Sequence, residues 1–390
     1  MLNLHIYPSD MKNESRILKV TAAISELKFF DKIIIVGKEF GTMKEYETID
    51  ESRLIWRVPL RKYSFLHWKI RKILRYINWL WRIYFKFRSK NISMINCHSL
   101  YDLPIGVLLK KKTGCKLVYD THELETERNG LDGKMKKIFK IIERNSIKYL
   151  DCIFVVSDSI EEWYRKNYKF NEVITIKNIP IKNRVLNKSN KIREMFSIPM
   201  DHILYLYQGA LFKGRSIELM LSVFSKINKE LWNELKAHIV FMGYGNLVDR
   251  IKESEIMYNN IHFIEAVPPN DILTYSSGAD VGISLIENTC LSYYYSLPNK
   301  LFEYYLSGIP IIVSNFPDMS SFIKDCNCGW ITDVGEENVY SLIKEISKDT
   351  ILDKVKNIKN SFKRNNFNWE MEKIKMKKVY AKLLVDYGLK

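Results

Sequence analysis

Residues Ser296–Ser314 read SLPNKLFEYYLSGIPIIVS and give the clearest indication of the architecture. This stretch predicts a helix followed at once by a buried strand, which is the repeating unit of an α/β protein with a parallel sheet. Ser296 is placed to cap the helix, Pro298 suits its first turn, and Gly308 suits the position after its end. We therefore expect a helix over Pro298–Ser307 and a strand directly after it.

The same alternation of helix and strand runs outward along nearly the whole chain. Short apolar runs that end at glycine or polar residues predict further buried strands, among them KIIIV at 32–36, KLVY at 116–119 and CIFVV at 152–156. The polar, basic stretch 177–195 predicts a linker. We expect an α/β fold of two Rossmann-like domains facing a central cleft, with ligands beyond the carboxyl ends of the strands.

The length of 390 residues also favours two domains over one core. The predicted boundaries are an N-terminal domain over 1–180, a C-terminal domain over 181–366, and a C-terminal helix over 367–390 that packs back on the N-terminal domain.

Composition limits the partners. The net charge of +16 favours an anionic partner, which leaves nucleic acid, an anionic bilayer or a phosphorylated substrate. The six cysteines form no pair of C-x-x-C units, so we expect free thiols in a reducing cytosol and no zinc ribbon. We expect neither a signal peptide nor a membrane-spanning segment, because no long uncharged apolar stretch occurs.

The helix predicted over Pro298–Ser307 carries an isolated polar face. Asn299, Lys300 and Glu303 share that face, because they are three and four residues apart. A carboxylate on an otherwise apolar helix can accept both hydrogen bonds of a ribose diol. A solvated lysine–glutamate face is the alternative explanation.

A second stretch, Tyr207–Glu218, reads YQGALFKGRSIE and predicts a strand, a glycine turn and the start of a helix. Gly209 permits close backbone approach, and Lys213 and Arg215 stand beside the helix N-terminus, so the stretch could bind an anion. An ordinary turn with surface cations is the alternative.

A third stretch, Leu117–Glu127, places Asp120, His122 and Glu123 where a strand leaves the sheet. His98 lies at the end of the preceding strand. These side chains could be catalytic, or His122 could be a packed turn histidine. We find no closed set of metal ligands and no D-x-D triplet, so we expect no metal site and no cofactor.

The motif LPNKLFEYYLSGIPIIVS resembles the nucleotide-binding signature of the GT-B glycosyltransferases of the large retaining family 4. It is similar to the subgroup with P-N-K-L-F-E-Y in this helix, and the resemblance covers nearly the whole chain in element order. It implies that Glu303 binds the ribose hydroxyls of a donor nucleotide, and that Asn299, Lys300 and Leu301 line the same site.

One position departs from the family pattern. Most members carry a second glutamate with seven residues between it and the position of Glu303, and this chain has Tyr295 there. The resemblance places that position beside the donor sugar, so Tyr295 is a candidate contact to the sugar or acceptor. Hydroxyls and amides of the loop 287–294 could replace the missing carboxylate.

The other stretches fit the family as well. Tyr207–Glu218 resembles the diphosphate loop G-x-L-x-x-x-R-x-I, which implies that Arg215 binds the diphosphate with Lys213 as a weaker candidate.

The segment D-x-H-E resembles the donor-sugar segment of the N-terminal domain, which implies that His122 touches the sugar. Asp120 and Glu123 would then hold the loop or face the acceptor. His98 and Asp102 resemble a further family pattern, H-x-x-x-D, which adds His98 to the candidates.

Residues 56–88 interleave cations with aromatic residues at helical spacing. A basic amphipathic helix with tryptophans fits the plane of an anionic membrane surface. A core helix with cations reaching outward is an alternative, and so is a nucleic-acid surface, although no nucleic-acid-binding motif accompanies it.

The sequence therefore predicts a retaining, metal-independent glycosyltransferase of cell-surface polysaccharide synthesis. It would move a sugar from a nucleotide-sugar to a hydroxyl of a lipid-linked glycan, in the cytoplasm and peripheral on the inner face of the membrane, without nucleic acid. Two alternatives stay open: a nucleotide-sugar epimerase of the same fold, or an inactive scaffold that binds membrane or nucleic acid.

Overall fold

The computed structural model describes residues 1–12, 14–39, 41–61, 63–64, 67–181, 187–364 and 367–385. Parts of three predicted segments lie outside the described residues: 182–186 of the linker, positions 62, 65 and 66 of the basic segment, and 386–390 of the C-terminal segment. The chain divides into two compact units, Met1–Lys177 together with the chain from Glu370 onward, and Asn178–Trp369.

The first unit is built on an eight-stranded sheet in the order β3-β4-β2-β1-β5-β6-β7-β8. Its strands are β1 Leu2–Ile6, β2 Lys32–Lys38, β3 Tyr46–Thr48, β4 Arg53–Val58, β5 Ile92–Cys97, β6 Lys116–Asp120, β7 Cys152–Val155 and β8 Val173–Thr175. Its helices before the second unit are α1 Ser15–Glu26, α2 Trp68–Phe87, α3 Leu103–Thr113, α4 Gly133–Ile147 and α5 Asp158–Tyr168. The strands pair in parallel except β3, which is antiparallel to β4.

The second unit has a six-stranded, all-parallel sheet in the order β11-β10-β9-β12-β13-β14. Its strands are β9 Ile203–Ala210, β10 Ala237–Tyr244, β11 Ile261–Glu265, β12 Val281–Ser284, β13 Ile311–Ser314 and β14 Gly329–Thr332. Its helices are α6 Lys191–Phe196, α7 Ile217–Glu230, α8 Trp232–Leu235, α9 Val248–Met257, α10 Ile272–Ser276, α11 Leu291–Tyr294, α12 Asn299–Leu306, α13 Pro317–Cys326, α14 Glu336–Glu345 and α15 Lys348–Arg364. The predicted class, α/β with two parallel-sheet domains, is confirmed.

Both faces of the second sheet are buried. Along β9, Leu204 and Leu206 pack into one apolar cluster while Tyr205 and Tyr207 pack into another, because successive side chains of a strand point to opposite faces. Helices cover each cluster. A strand buried on both faces reads as a continuous apolar run, which explains why the sequence reveals it so clearly.

Helix α12 begins later than the capping residues predict. Its first residue is Asn299, Pro298 takes the N-cap position, and the hydroxyl of Ser296 donates instead to the carbonyl of Tyr293 at 2.7 Å. The predicted cap at Ser296 is therefore wrong. Gly308 has φ +74 directly after the helix, as a helix-terminating glycine requires.

The basic segment 56–88 is only partly helical. Trp56 and Arg57 belong to β4 and are buried, because the sheet extends by β3 and β4, which the sequence analysis did not predict. Helix α2 then runs from Trp68 to Phe87.

Helix α2 has two apolar faces. Trp79, Ile83 and Phe87 form the buried face, and the indole of Trp79 donates to the carbonyl of Gly37 at 2.9 Å. A second apolar face stays exposed, with the side chains of Ile70, Ile73, Ile77, Trp81 and Phe85, and Trp68 is also exposed at the start of the helix. Within the described part of the chain, no helix has both the length and the apolar character needed to cross a membrane.

The final helix, α16 Trp369–Leu383, packs in the first unit from Glu370 onward. The ring of Tyr380 contacts Phe30 and Phe154 with ring centroids 6.2 and 6.1 Å away, and the Glu372 carboxylate accepts from the backbone N–H of Lys177 at 2.9 Å. This helix therefore completes a unit whose other elements come from the start of the chain.

Three stacked histidines cross the amino ends of β9, β10 and β11. His202 Nδ1 lies 2.9 Å from His238 Nε2, and His238 Nδ1 lies 3.0 Å from His262 Nε2. Burial lowers the pKa of His238 to about 3 and that of His262 to about 4. Within the second unit, this histidine ladder lies at the end of the sheet opposite the carboxyl ends of the same strands.

Candidate functional site

Three candidate side chains of the first unit meet at the carboxyl ends of β5 and β6. His98 Nδ1 lies 3.0 Å from Asp120 Oδ2 and 3.4 Å from His122 Nε2. The two strands are neighbours, so side chains that follow them converge at one edge. The ring of Tyr7, which follows β1, lies 5.6 Å from that of His122.

A buried arginine holds Asp120 in its ionised form. Arg16 on α1 donates to Asp120 Oδ1 through Nη2 at 2.6 Å and through Nε at 3.2 Å, and to the carbonyl of Ile176 at 3.0 Å. Burial would raise the pKa of Asp120, but the Arg16 charge and the hydrogen bond from His98 outweigh it and hold the pKa well below its ordinary value. The sequence gives no signal for this role of Arg16, because its partner Asp120 is 104 residues away.

His122 and His5 are neutral at physiological pH. Burial lowers the pKa of His122 to about 3, against the opposing charge of Asp120, and lowers the pKa of His5 well below its ordinary value. His122 can therefore donate or accept a hydrogen bond without carrying charge, which suits contact with sugar hydroxyls.

His98, Asp120 and His122 are also of metal-ligand type, and their ligand atoms lie within 4.8 Å of one another. The sequence analysis did not find this grouping. The Arg16 guanidinium already binds both oxygens of Asp120, and its positive charge opposes a cation at the same carboxylate.

The other first-unit candidates are placed differently. Glu123 is partly exposed and accepts a long hydrogen bond from Arg128 at 3.5 Å. Asp102 does not pair with His98. It is completely buried at the start of α3, and burial raises its pKa well above the ordinary value.

In the second unit, Glu303 is held at the carboxyl end of β9. The Gln208 amide donates to the Glu303 carboxylate, and the Ser276 hydroxyl donates to Gln208 Oε1 at 2.6 Å. The buried Tyr304 fixes α12 against the strand, because its hydroxyl donates to the carbonyl of Leu206 at 3.0 Å. Glu303 thus presents a positioned carboxylate beside the strand end.

Two basic side chains, Lys300 and Arg215, lie near one another here, each on the face of a tyrosine ring. The Lys300 ammonium is 3.6 Å from the ring centre of Tyr207, and the Arg215 guanidinium is 4.5 Å from that of Tyr293. Burial lowers the pKa of Lys300 well below its ordinary value, and the nearby Arg215 charge adds to the shift while Glu303 opposes it. An anion bound beside Lys300 would favour its protonated form, so its charge is supplied when the ligand is present. Among the described residues, no carboxylate forms an ion pair with either cation within 4.0 Å, so the pair can receive an anion.

Gly209 explains how a ligand could approach Lys300. Its φ is +113, and a β-carbon there would lie 3.8 Å from the Lys300 ammonium. Beyond it, the backbone N–H of Ser216 donates to Glu287 Oε1 at 3.2 Å, and that of Glu287 donates to the carbonyl of Gly214 at 3.0 Å. Glu287 therefore ties the turn before α7 to the strand β12.

The remaining candidates of the second unit differ in their exposure to solvent. Lys213 and Asn299 are exposed, whereas Leu301 is fully buried in the apolar core. The ring of Tyr295 lies 5.4 Å from that of Tyr294. The tyrosines Tyr207 and Tyr293, which seat the two cations, were missed because an aromatic residue on a strand or loop gives no sequence signal for this role.

Two parallel-sheet units with a positioned carboxylate and a cation pair at a strand end define a two-domain enzyme class of GT-B architecture. Two family models match consecutive parts of the chain: Glycosyltransferase Family 4 over residues 33–179, and Glycosyl transferases group 1 over residues 188–366. The chain belongs to the GT-B glycosyltransferases of the family 4 type.

Known proteins share the fold at low identity. Sucrose-phosphate synthase from Thermosynechococcus elongatus has a TM-score of 0.77 at 12% identity, covering 99% of this chain and 100% of that one. Anabaena HepE in complex with UDP and glucose has a TM-score of 0.72 at 10% identity, covering 98% and 100%.

A relative by sequence is the chitobiosyldiphosphodolichol beta-mannosyltransferase of Debaryomyces hansenii, 24% identical over 288 residues. The match covers 65% of this chain and spans 60% of that protein's length.

Proposed function

We propose that this chain transfers a sugar from a nucleotide-sugar to a hydroxyl of a lipid-linked glycan, with retention of anomeric configuration and without a metal ion. The observation that carries the proposal is the group at the end of β9, where Lys300 lies between the charges of Glu303 and Arg215. A carboxylate suits the ribose diol, and two cations suit a diphosphate. The UDP and glucose bound to Anabaena HepE support this class of donor.

The chemistry follows from that charge arrangement. As the bond between the sugar C1 and the diphosphate oxygen breaks, negative charge grows on the leaving diphosphate, and Arg215 and Lys300 stabilise it. Lys213, although exposed, is close enough in sequence to assist. The acceptor oxygen bonds to C1 on the same face, and its proton passes to the departing phosphate, so no enzymic nucleophile is needed.

The first unit contributes neutral polar contacts. His122, oriented by His98 and Asp120, offers its ring nitrogen to a sugar hydroxyl. Glu123 and Tyr295 are further candidates for contact with the sugar or acceptor. Asn299 and the backbone near Leu301 are candidates for the nucleotide.

The acceptor is proposed from α2 and from the relative's name, which contains a glycan linked to a lipid, chitobiosyldiphosphodolichol. The exposed apolar face of α2 carries Trp81 and is bordered by Arg71 and Arg82, which suits an anionic bilayer surface. This supports a peripheral position on the inner face of the cell membrane and a role in cell-surface polysaccharide synthesis.

A donor assay tests the proposal. The purified chain is incubated with UDP-, GDP- and dTDP-sugars, with and without a lipid-linked glycan, and both free nucleotide and sugar products are measured. Acceptor-dependent nucleotide release supports the proposal. Interconversion of the sugar on intact nucleotide would establish the epimerase instead, and no turnover or binding with any donor would establish an inactive scaffold.

A further inference from the structure

The last helix of the chain donates a hydrogen bond into the polar group beneath the first-unit site. Tyr380 on α16 is fully buried, and its hydroxyl lies 2.6 Å from Asn96 Oδ1. Asn96 Nδ2 lies 2.8 Å from Asn3 Oδ1 and 3.3 Å from His5 Nε2. His5 Nδ1 in turn lies 2.8 Å from His98 Nε2. These contacts form a continuous chain from α16 to the site.

The donor and acceptor roles along this chain of hydrogen bonds are set at the end where His98 meets Asp120. The ionised carboxylate of Asp120 can only accept, so His98 must carry its proton on Nδ1 and accept through Nε2. His5 then donates through Nδ1 and accepts at Nε2 from the amides of Asn96, at 3.3 Å, and of Asn3, at 3.2 Å. This leaves Asn96 Oδ1 facing Tyr380, whose hydroxyl is the donor that closes the chain. Every member is buried, so water cannot substitute for a missing partner.

We propose that Tyr380 is a positioning residue for the transfer reaction. By closing the chain it keeps the Asn96 amide turned with Nδ2 toward His5, and together with Asp120 at the other end this holds His5 and His98 in single tautomers. His98 with Asp120 then holds the ring of His122 toward the sugar. This inference rests on the proposed function, and it gives the C-terminal helix a role at a site formed by residues from the start of the chain.

The variant Tyr380→Phe separates positioning from packing. It keeps the ring contacts with Phe30 and Phe154 and removes only the hydroxyl. The matched control is Tyr164→Phe, which removes a buried hydroxyl that donates to Glu143 at 2.7 Å, outside the chain.

Two measurements test the proposal on the full-length protein. Nitrogen-15 NMR of the histidine rings reports the tautomers of His5 and His98 without any substrate. Steady-state kinetics report kcat and KM separately, with the nucleotide-sugar that the donor assay identifies. In Tyr380→Phe we expect the nitrogen shifts of both rings to move toward a mixture of tautomers. We also expect kcat to fall roughly five- to tenfold, the scale of one lost buried hydrogen bond, at unchanged donor KM.

The control Tyr164→Phe should change neither readout. Unchanged tautomers in Tyr380→Phe would overturn the proposal, and so would shifted tautomers with wild-type kcat. If the wild type transfers no sugar, the proposed function fails, while the NMR result still decides whether Tyr380 sets the tautomers.

Discussion

At the scale of single residues, seating a cation on an aromatic ring fixes its position without neutralising its charge. Arg215 lies on Tyr293, so its charge stays available to the leaving diphosphate. Because that charge grows as the bond breaks, Arg215→Ala should lower kcat more than it raises donor KM, by roughly 10²-fold or more. Steady-state kinetics with the cognate donor measure both constants.

The matched control for this prediction is Arg250→Ala. Arg250 is an exposed arginine on α9 that pairs with Glu218, so its removal should leave kcat near the wild-type value. If Arg215→Ala raised KM and left kcat unchanged, Arg215 would bind the donor in the ground state and would not stabilise the transition state specifically.

Glu303 should determine nucleotide affinity. Glu303→Ala removes a charged acceptor for the ribose diol, which we expect to cost about 1.5–3 kcal/mol of binding free energy. Isothermal titration with the cognate nucleotide measures it, with Glu345→Ala, an exposed glutamate at the end of α14, as the control. Wild-type affinity in a folded Glu303→Ala protein would remove Glu303 from the site.

The sequence predicted part of this geometry. Spacing placed Lys300 and Glu303 on one helical face, and strand ends placed His98 and Asp120 at one sheet edge. It could not predict that Arg16 binds Asp120 or that Lys300 lies on Tyr207, because these pairs are far apart in sequence and depend on how helices pack on the sheet.

At the scale of elements, α2 should bind anionic membranes. Each cation near an anionic surface contributes about 1 kcal/mol, screened within a Debye length of roughly 8–10 Å, whereas burial of Trp68 and Trp81 does not weaken with salt. Binding to anionic vesicles should therefore fall with salt without vanishing, and neutral vesicles should bind poorly. Co-sedimentation measures the bound fraction.

Replacing Arg71, Lys72, Arg75 and Arg82 with Gln should release the protein from these vesicles and leave donor hydrolysis intact. The control replaces four exposed lysines of the second unit with Gln: Lys252, Lys344, Lys356 and Lys359. Release by both sets would mean that only net charge matters. A wild type that stays in the supernatant at low salt would remove the main support for a lipid-linked acceptor.

Helices and strands were predictable where a single hydrophobic pattern, that of a helix or of a buried strand, dominates the local sequence. The bounds of β2, β6, β7 and α12 were predicted within one or two residues. Strands β3 and β4 were missed, since Trp56 and Arg57 were read as part of a basic amphipathic stretch. Local spacing also could not reveal that α2 has two apolar faces, because only the packed sheet determines which one is buried.

At the scale of the molecule, the histidine ladder should make stability depend on pH. The folded pKa of His238 is about 3 against an ordinary value of 6.5, so between these values the unfolded chain binds a proton that the folded chain does not. Stability is therefore full above pH 6.5 and is lost as the pH falls toward 3.

The variant His238→Gln should remove up to about 1.4 kcal/mol per pH unit of this dependence. Urea unfolding at pH 7.5 and pH 5 measures it, since the difference at pH 7.5 corrects for any effect of the substitution that does not depend on pH. Equal pH dependence in both proteins would contradict the role of the ladder.

Transfer should also survive chelation. In the proposed mechanism Arg215 and Lys300, assisted by Lys213, supply the positive charge that stabilises the leaving diphosphate. Activity in EDTA should therefore match that in buffer alone. Complete loss in EDTA, restored by Mg²⁺ or Mn²⁺, would contradict this and direct attention to His98, Asp120 and His122.

The return of α16 to the first unit has a consequence for biosynthesis. The ribosome must complete Asn178–Trp369 before Tyr380 emerges to cover Phe30 and Phe154. At about 5–20 residues per second, that interval is on the order of 10–40 s. The nascent first unit therefore exists for that interval with Phe30 and Phe154 uncovered by Tyr380, and a ribosome-associated chaperone that shields apolar surface would act on it then.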